Sequence, residues 1–227
     1  MAITTRGKRY RKDAEKTSET PVALAEAVAK VKTFNSTKFD QTVQLIFWLG
    51  IDPKQSDQIV RGALSLPHGI GQQKKVIAFC EGADADAAKQ AGAIEVGVDE
   101  LIAKVTGGWS DFDVAIASTK VMGKVGKLGR VLGPQGKMPS PKNGTVTADV
   151  ATAVREFAAG KVEFKNDTGG NVHVVVGKVS FDAQKLIDNI DVVIAHIKKI
   201  KPVSSKGTYI KKISIHAAMS PGVLVVV

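Results

Sequence analysis

The stretch "KKVIAFCEGADADAAKQAGAIEVGVDELIAKVTGGWSDFDVAIAS", residues 74–118, decides the fold. Three short apolar runs, "VIAFC", "AIEV" and "VAIAS", are separated by two segments of helical composition. The first, "ADADAAKQAG", opens with acids and stops at Gly92; the second, "DELIAKVTGG", opens with acids and ends in glycine. Acids suit a helix N-terminus and glycine its end, so each segment carries its own start and stop. Short apolar strands alternating with helices predict a parallel sheet covered on both faces.

Outside this stretch the pattern changes. "TPVALAEAVAKVKTF" predicts a helix with Thr20 as its cap, Pro21 at its first position and Leu24, Val28 and Val31 on one face. "STKFDQTVQLIF", residues 36–47, alternates as a strand does, with Phe39, Val43, Leu45 and Phe47 on one side and Lys38, Asp40, Thr42 and Gln44 on the other. Beyond residue 118, "TADVATAVREFAAGK" predicts a helix with cap chemistry at Thr147. "KVEFKNDTGGNVHVVVGK" predicts two strands joined by the turn "NDTGGN", and "SFDAQKLIDNIDVVIAHIKKIK" a long amphipathic helix from Ser180, stopped by Pro202. "TYIKKISIH" and "GVLVVV" complete the strands. The fold class that follows is α/β and α+β in two domains. An outer α+β domain is expected from residues 1–67 and 160–227, with an α/β domain, 68–159, inserted between them. Two chain crossings, near 68 and 159, predict a hinge.

Charge divides the chain in the same way. The formal net charge is +10, and residues 68–159 hold 11 basic and 10 acidic side chains, whereas the remainder holds 21 and 12. Such an excess concerns partners and favours nucleic acid, an anionic membrane or an acidic ligand. No stretch approaches the roughly 20 apolar residues of a membrane span, and the basic N-terminus lacks the apolar segment of a secretory signal, so a cytoplasmic protein is expected. A single cysteine, Cys80, excludes a disulfide framework and multi-cysteine metal sites. His68, His173, His196 and His216 are scattered without metal-ligand spacing, and no nucleophile–base motif is present; no catalytic residue, metal or cofactor is expected.

One basic stretch within the insert invites a ligand. "GRVLGPQGKMPSPKNG", residues 129–144, combines glycines and prolines with Arg130, Lys137 and Lys142 and has no acid. It fails as a phosphate-binding loop of the G-x-x-x-x-G-K-[ST] type, because Val131 stands where the first glycine belongs and Met138 follows Lys137. Just before it, Val121, Val125, Leu128 and Leu132 form a helical apolar stripe beside a second stripe of Lys120, Lys124 and Lys127. Glycines 123, 126 and 129 within that helix cost about 1 kcal/mol each relative to alanine. Either a partner approaches the backbone closely there, or the glycines serve packing on a solvated basic face.

The outer domain offers a different surface. The anticipated strands put Lys161, Glu163, Lys165, Asn171 and His173 on one face, with Val162, Phe164, Val172 and Val174 toward the core. Lys38, Asp40 and Thr42 add to a mixture of donors and acceptors. Lysines alone bind phosphates without discrimination; amides, hydroxyls and carboxylates grip 2′-hydroxyls and base edges of folded RNA. With aromatics at 5%, a single-strand stacking platform is disfavoured.

Four segments together resemble a known family. "KFDQTVQLIFWLGIDPKQSDQIVRGALSLPHGIG", "GKLGRVLGPQGKMPSPKNGTVT", "KVEFKNDTGGNVHVVVGKVSF" and "KGTYIKKISIHAAMSPGV" are similar to the bacterial large-subunit ribosomal protein L-one family. The resemblance implies an outer domain from both termini with an inserted three-layer α/β domain. It implies binding to 23S ribosomal RNA at the mobile side stalk, help in releasing deacylated tRNA from the exit site, and repression through the leader of its own messenger RNA. It implies a monomer off the ribosome. Carried over by motif, the outer-domain RNA contacts are Lys38, Phe39, Thr42, Glu163, Lys165, Asp167, Gly170, Asn171, His173 and Met219. Lys124, Lys127, Arg130 and Lys137 form a secondary RNA contact in the insert. The chain departs from the family pattern beside Met219, where Ala218 replaces a threonine and Ser220 a glycine, and in its turn, which lacks a lysine. Ala218 lacks a hydroxyl for RNA, and Ser220 is strained if its backbone needs a positive φ. The alternative is a nucleotide-dependent enzyme using the α/β insert, which predicts saturable ATP or NAD binding that Lys137→Ala abolishes.

Overall fold

A computed structural model of the protein describes residues 7–17, 20–34 and 37–226. The first six residues of the basic N-terminal segment and Ser36 of the anticipated first strand lie outside the described residues. The chain divides into two compact units, one formed by the segments up to Gly71 and from Glu163, the other by Gln72–Val162.

The outer unit begins with helices α1, Lys8–Ala14, and α2, Leu24–Thr33, followed by strands β1, Thr42–Leu49, and β2, Arg61–Leu64. In the insert come β3, Val76–Phe79; α3, Ala83–Gln90; β4, Glu95–Val96; α4, Asp99–Thr106; and β5, Val114–Ser118. An interrupted helical segment follows: α5, Met122–Val125, a 3-10 turn at Gly126–Leu128, and α6, Gly129–Leu132. The insert closes with β6, Val146–Thr147, and α7, Val150–Ala158. The chain then returns to the outer unit through β7, Val162–Lys165; β8, Asn171–Lys178; α8, Ala183–Lys199; β9, Ile210–Ala217; and β10, Val223–Val225.

The insert is a three-layer α/β unit. Its sheet has the order β4-β3-β5-β6 with parallel pairing. Helices α3 and α7 pack on each other and on one face. On the other face, Ile77, Phe79, Ala115 and Ala117 pack with Leu101 and Val105 of α4 and with Val121, Val125, Leu128 and Leu132. Residues of the two central strands, β3 and β5, are therefore buried on both sides, which is why "VIAFC" and "VAIAS" read as continuously apolar.

The outer unit carries an antiparallel sheet of order β10-β9-β1-β8. In β1 every second residue, Val43, Leu45, Phe47 and Leu49, is buried. Val172, Val174, Ile213 and Ile215 are buried on the neighbouring strands, and helices α2 and α8 pack against this sheet with Val28, Val31, Leu186, Ile190, Val193 and Ile197 buried. Burial of one such aliphatic side chain contributes about 1.5–3 kcal/mol, so this face holds the outer unit together.

Several local expectations are corrected. Helix α2 starts at Leu24 after Ala23, not at Thr20, because Val22 is extended and bridges to Val225. Strand β1 starts at Thr42, and Phe39 precedes it as an exposed residue rather than a core one. Asp149, not Thr147, caps α7 by accepting from Thr152 N at 3.1 Å; Thr147 ends β6. Asp182 caps α8, while Ser180 is bound instead by the Asp40 carboxylate. The "NDTGGN" turn does reverse the chain, but β7 and β8 part beyond a single bridge, Asn166 to Val172. Strand β7 pairs with β2, a strand absent from the sequence reading, in a separate two-stranded sheet. Buried Asn166 holds it there: its N–H donates to Val60 O at 2.9 Å and its Oδ1 accepts from Val60 N at 3.0 Å.

Residues 68–71, assigned to the insert from the sequence, belong with the outer unit because Asn189 of α8 ties them down. Its Oδ1 accepts from His68 N at 3.2 Å, and its Nδ2 donates to Gly69 O at 3.1 Å and Val176 O at 2.8 Å. At the return crossing, residues 160–162 stay with the insert, where Lys161 Nζ meets Glu156 Oε2 at 2.6 Å and Lys74 Nζ donates to Lys161 O at 2.9 Å.

Asn189 is fully buried, and its loss strands three backbone groups. Asn189→Ala is expected to destabilise the outer unit by about 2–4 kcal/mol, read by urea unfolding, with little change in the insert.

Candidate nucleic-acid interface

The face of the outer sheet opposite α2 and α8 is built by the alternate residues of its strands. From β1 it receives Thr42, Gln44, Ile46 and Trp48; from β8, Asn171, His173 and Val175; from β9, Lys212, Ser214 and His216. Register sets these side chains in rows: Gln44 lies between Val175 and His216, Ile46 between His173 and Ser214, and Trp48 between Asn171 and Lys212. At about 3.3 Å per residue, the strip from Thr42 to Trp48 is roughly 20 Å long.

Two groups of the expected RNA contacts flank this strip. At the Thr42 end, buried Gln41 accepts from Met219 N through Oε1 at 2.9 Å, and Ala218 N donates to Thr42 O at 3.0 Å. These bonds join "KFDQT" to "AAMSPG" although the two are far apart in sequence. Phe39 and Met219 are both about half exposed there, and Lys178 Nζ donates to Thr42 Oγ1 at 3.2 Å. Arg9 from α1 also reaches this end, with Nη2 donating to Met219 O at 3.2 Å.

Ser220 faces inward. Its Oγ accepts from Ala217 N at 2.9 Å and lies 3.2 Å from the carbonyls of Ala217 and Pro221. No described non-glycine residue has a positive φ, so the strain anticipated at Ser220 is absent.

At the opposite end, Asp167 organises the turn. Oδ1 accepts from Gly169 N at 2.8 Å and Asn171 N at 2.7 Å, and Oδ2 accepts from Asn171 Nδ2 at 3.0 Å. The Asn171 amide is the first cause holding the Asp167 carboxyl below its ordinary range, with the backbone donors adding to it. The carboxylate is thus charged at neutral pH, with His173 Nε2 4.0 Å away. Gly170 has φ +77°, and a Cβ there would sit 3.3 Å from Leu49 O, so this turn requires glycine. Lys165 lines a recess of about 540 Å³ beside Asp167, Thr168, Pro53 and Ile59. Glu163 and Lys165 lie on β7 and are therefore outside the four-stranded face.

His216, Trp48, Gln44 and Ser214 share this face without being among the expected RNA contacts. The Nδ1 of His216 is buried without a hydrogen-bond partner among the described residues. Burial, followed by the charge of His173, lowers its pKa and so favours the neutral ring. Strand alternation was the available signal for it: His216 shares parity with Ser214 and Lys212 in "KKISIH".

The four expected insert contacts divide into two pairs. Lys124 Nζ is 2.9 Å from Glu81 Oε1 and 3.6 Å from Asp99 Oδ2, and the Glu81 hydrogen bond leads in raising its pKa. Lys137 Nζ donates to the carbonyls of Ser110 and Phe112 and lies 4.9 Å from the Phe112 ring centroid. Lys127 and Arg130 are exposed and carry no such bonds among the described residues. A Cβ on Gly123, Gly126 or Gly129 would meet nothing within 4 Å. Internal packing therefore does not require these glycines, and they leave a stretch of helical backbone bare beside the basic residues. Among the described residues no group of three or more His, Cys, Asp or Glu side chains could hold a metal, and no helix is long and apolar enough to cross a membrane.

Comparison with known proteins agrees with the motifs. Residues 31–221 match the Ribosomal protein L1p/L10e family. The chain is 50% identical over 222 residues to the large ribosomal subunit protein uL1 of Beutenbergia cavernae, covering 97% of this chain and 93% of that protein. It is also 50% identical to the proteins of the same name from Cutibacterium acnes, over 96% of this chain and 94% of that one, and Maridesulfovibrio salexigens, over 95% and 92%.

The lowered pKa of His216 sets a pH dependence. In the folded state this imidazole resists protonation, whereas the unfolded chain takes up the proton near the ordinary value of 6.5. Stability contributed by the neutral form is thus present above that value and is lost as pH falls below it. Urea unfolding is expected to show stability declining as pH falls below about 6.5, and His216→Gln should make the decline shallower; an equally steep decline in the variant contradicts this assignment.

Proposed function

Because the chain belongs to the Ribosomal protein L1p/L10e family and is a non-enzymatic structural constituent of the large ribosomal subunit, we propose that the open face of its outer sheet grips a structured segment of 23S ribosomal RNA at the side stalk. The protein works in the cytoplasm, on the ribosome. The observation that carries the proposal is the flanked strip itself: polar and ionic side chains in register along β1, β8 and β9, held at one end by Gln41 and at the other by Asp167. Neutral His216, Asn171, Gln44 and Ser214 supply hydrogen bonds that can discriminate, while Lys38, Lys178 and Lys212 meet phosphates.

A second, weaker RNA contact is assigned to the insert through Lys127, Arg130 and the bare backbone at Gly123–Gly129. Lys124 and Lys137 serve the insert's own structure first, and Lys124 reaches RNA only by giving up Glu81. With both contacts made, the protein carries the stalk that engages exit-site tRNA and helps its deacylated form leave. The same outer face binds the leader of its own messenger RNA where that leader mimics the ribosomal segment. Ala218 offers that leader no hydroxyl, so repression is the more easily weakened of the two roles.

The test is binding to a folded side-stalk fragment of 23S RNA across a salt titration, with unrelated structured RNA and duplex DNA as competitors. Tight binding that survives competition is expected. Asp167→Ala, which unties the turn, should lower affinity about tenfold at every salt concentration. Lys127→Ala with Arg130→Ala should instead flatten the log–log salt slope by about one per charge removed. Equal binding to all three nucleic acids, collapsing with salt, contradicts the proposal.

A further inference from the structure

Trp48 is the large aromatic side chain on the open face, with 40% of its surface exposed. Consecutive residues of a regular strand point to opposite faces, so one tryptophan should meet one lysine from the neighbouring strand. Here the β1–β9 register shifts between Trp48 and Leu49: Trp48 lies opposite Lys212, Leu49 lies opposite Ile210, and Lys211 is the extra residue. This bulge brings two consecutive lysines to one ring, with Lys211 Nζ 4.8 Å and Lys212 Nζ 5.8 Å from its centroid. Lys211 also lines, with Lys206, Gly50 and Thr208, a recess of about 660 Å³ whose one acidic lining residue is Asp52.

The chemistry of this corner selects its ligand. An apolar protein surface would have to desolvate the lysines to reach the ring. A purely electrostatic phosphate site would gain nothing from the exposed tryptophan. A nucleotide uses both: its base stacks on the indole and its phosphates meet the ammonium groups. Contact between an exposed lysine and a ring is weaker than base stacking, so an incoming base displaces the lysines from the ring and leaves them for the backbone.

We infer that Trp48, Lys211 and Lys212 form a stacking site for one unpaired nucleotide of the bound RNA, at the end of the strip marked by Asn171 and the Asp167 turn. The site rests on the proposed RNA-binding role of the open face and extends it, from a surface that grips folded RNA by hydrogen bonds to one that also receives an extruded base.

The experiment uses the full chain with Trp109→Phe, which leaves Trp48 as the sole tryptophan. Titration with single-stranded hexa-adenylate RNA should quench its fluorescence saturably, and a blunt RNA duplex of similar length should not. In the otherwise unaltered chain, Trp48→Ala should weaken binding to the folded side-stalk fragment about tenfold, Trp48→Phe should restore most of it, and urea unfolding should show both variants folded under the binding conditions. Lys211→Ala with Lys212→Ala should weaken hexa-adenylate binding and flatten its salt dependence. Tight wild-type binding to the fragment, with no quenching by hexa-adenylate and no loss in Trp48→Ala, overturns the stacking site and leaves the wider proposal intact. Failure of the wild type to bind the fragment overturns the wider proposal instead. Self-association that depends on Trp48, without quenching by RNA, assigns the corner to protein contact and also overturns the inference.

Discussion

Strand β1 is hydrogen-bonded on both edges, to β8 and to β9, and its register decides which side chains form the core and which face outward. Side chains alternate with a period of two, so a slip by one residue would expose Val43, Leu45, Phe47 and Leu49 and bury Gln44 and Trp48. Losing four such aliphatic and aromatic contacts is comparable with the whole net stability of an ordinary domain, which fixes the register. The candidate interface is therefore the other side of the core. Its spacing and composition follow from the packing of α2 and α8 on the opposite face.

What the register cannot supply, local hydrogen bonds do. Gln41 and the Ala218–Thr42 bond hold two remote segments together at one end, and Asp167 fixes the Gly169–Asn171 backbone at the other. Ligand contacts on such supports lose less conformational entropy on binding than contacts on loose loops. The insert follows a different economy of charge. Much of its basic character is spent internally, Lys124 on Glu81 and Asp99, Lys137 on two carbonyls and the Phe112 ring, Lys161 on Glu156. Six basic residues between 120 and 142 therefore overstate the positive charge open to a partner.

The parallel sheet of the insert was legible because strands buried on both sides are written as unbroken apolar runs. The core face of β1 was legible through alternation, and the apolar stripe from Val121 to Leu132 through helical spacing. Less visible were features that depend on a second segment. Asp149 and Thr147 are both good caps in isolation; only the placement of β6 decides between them. Nothing local in "NDTGGN" tells that β7 will leave β8 for β2, since Asn166 achieves this through Val60, about a hundred residues earlier in the chain. The alternation of β1 extends in the sequence to Phe39, but the strand starts at Thr42 and Phe39 is exposed. Low aromatic content argues against a stacking platform on average and hides Trp48, whereas one ring at a bulge needs no abundance. The inward turn of Ser220 was likewise hidden, because its partners are backbone groups around its own loop.

The most direct test of the account is a map of backbone amide chemical-shift changes in the full chain on adding the folded side-stalk RNA fragment. The largest changes should fall along Thr42–Trp48, Asp167–His173 and Lys211–Met219, with smaller ones at Gly123–Arg130. Changes concentrated in the insert, with the outer strands unmoved, would contradict the claim that the open sheet face holds the RNA.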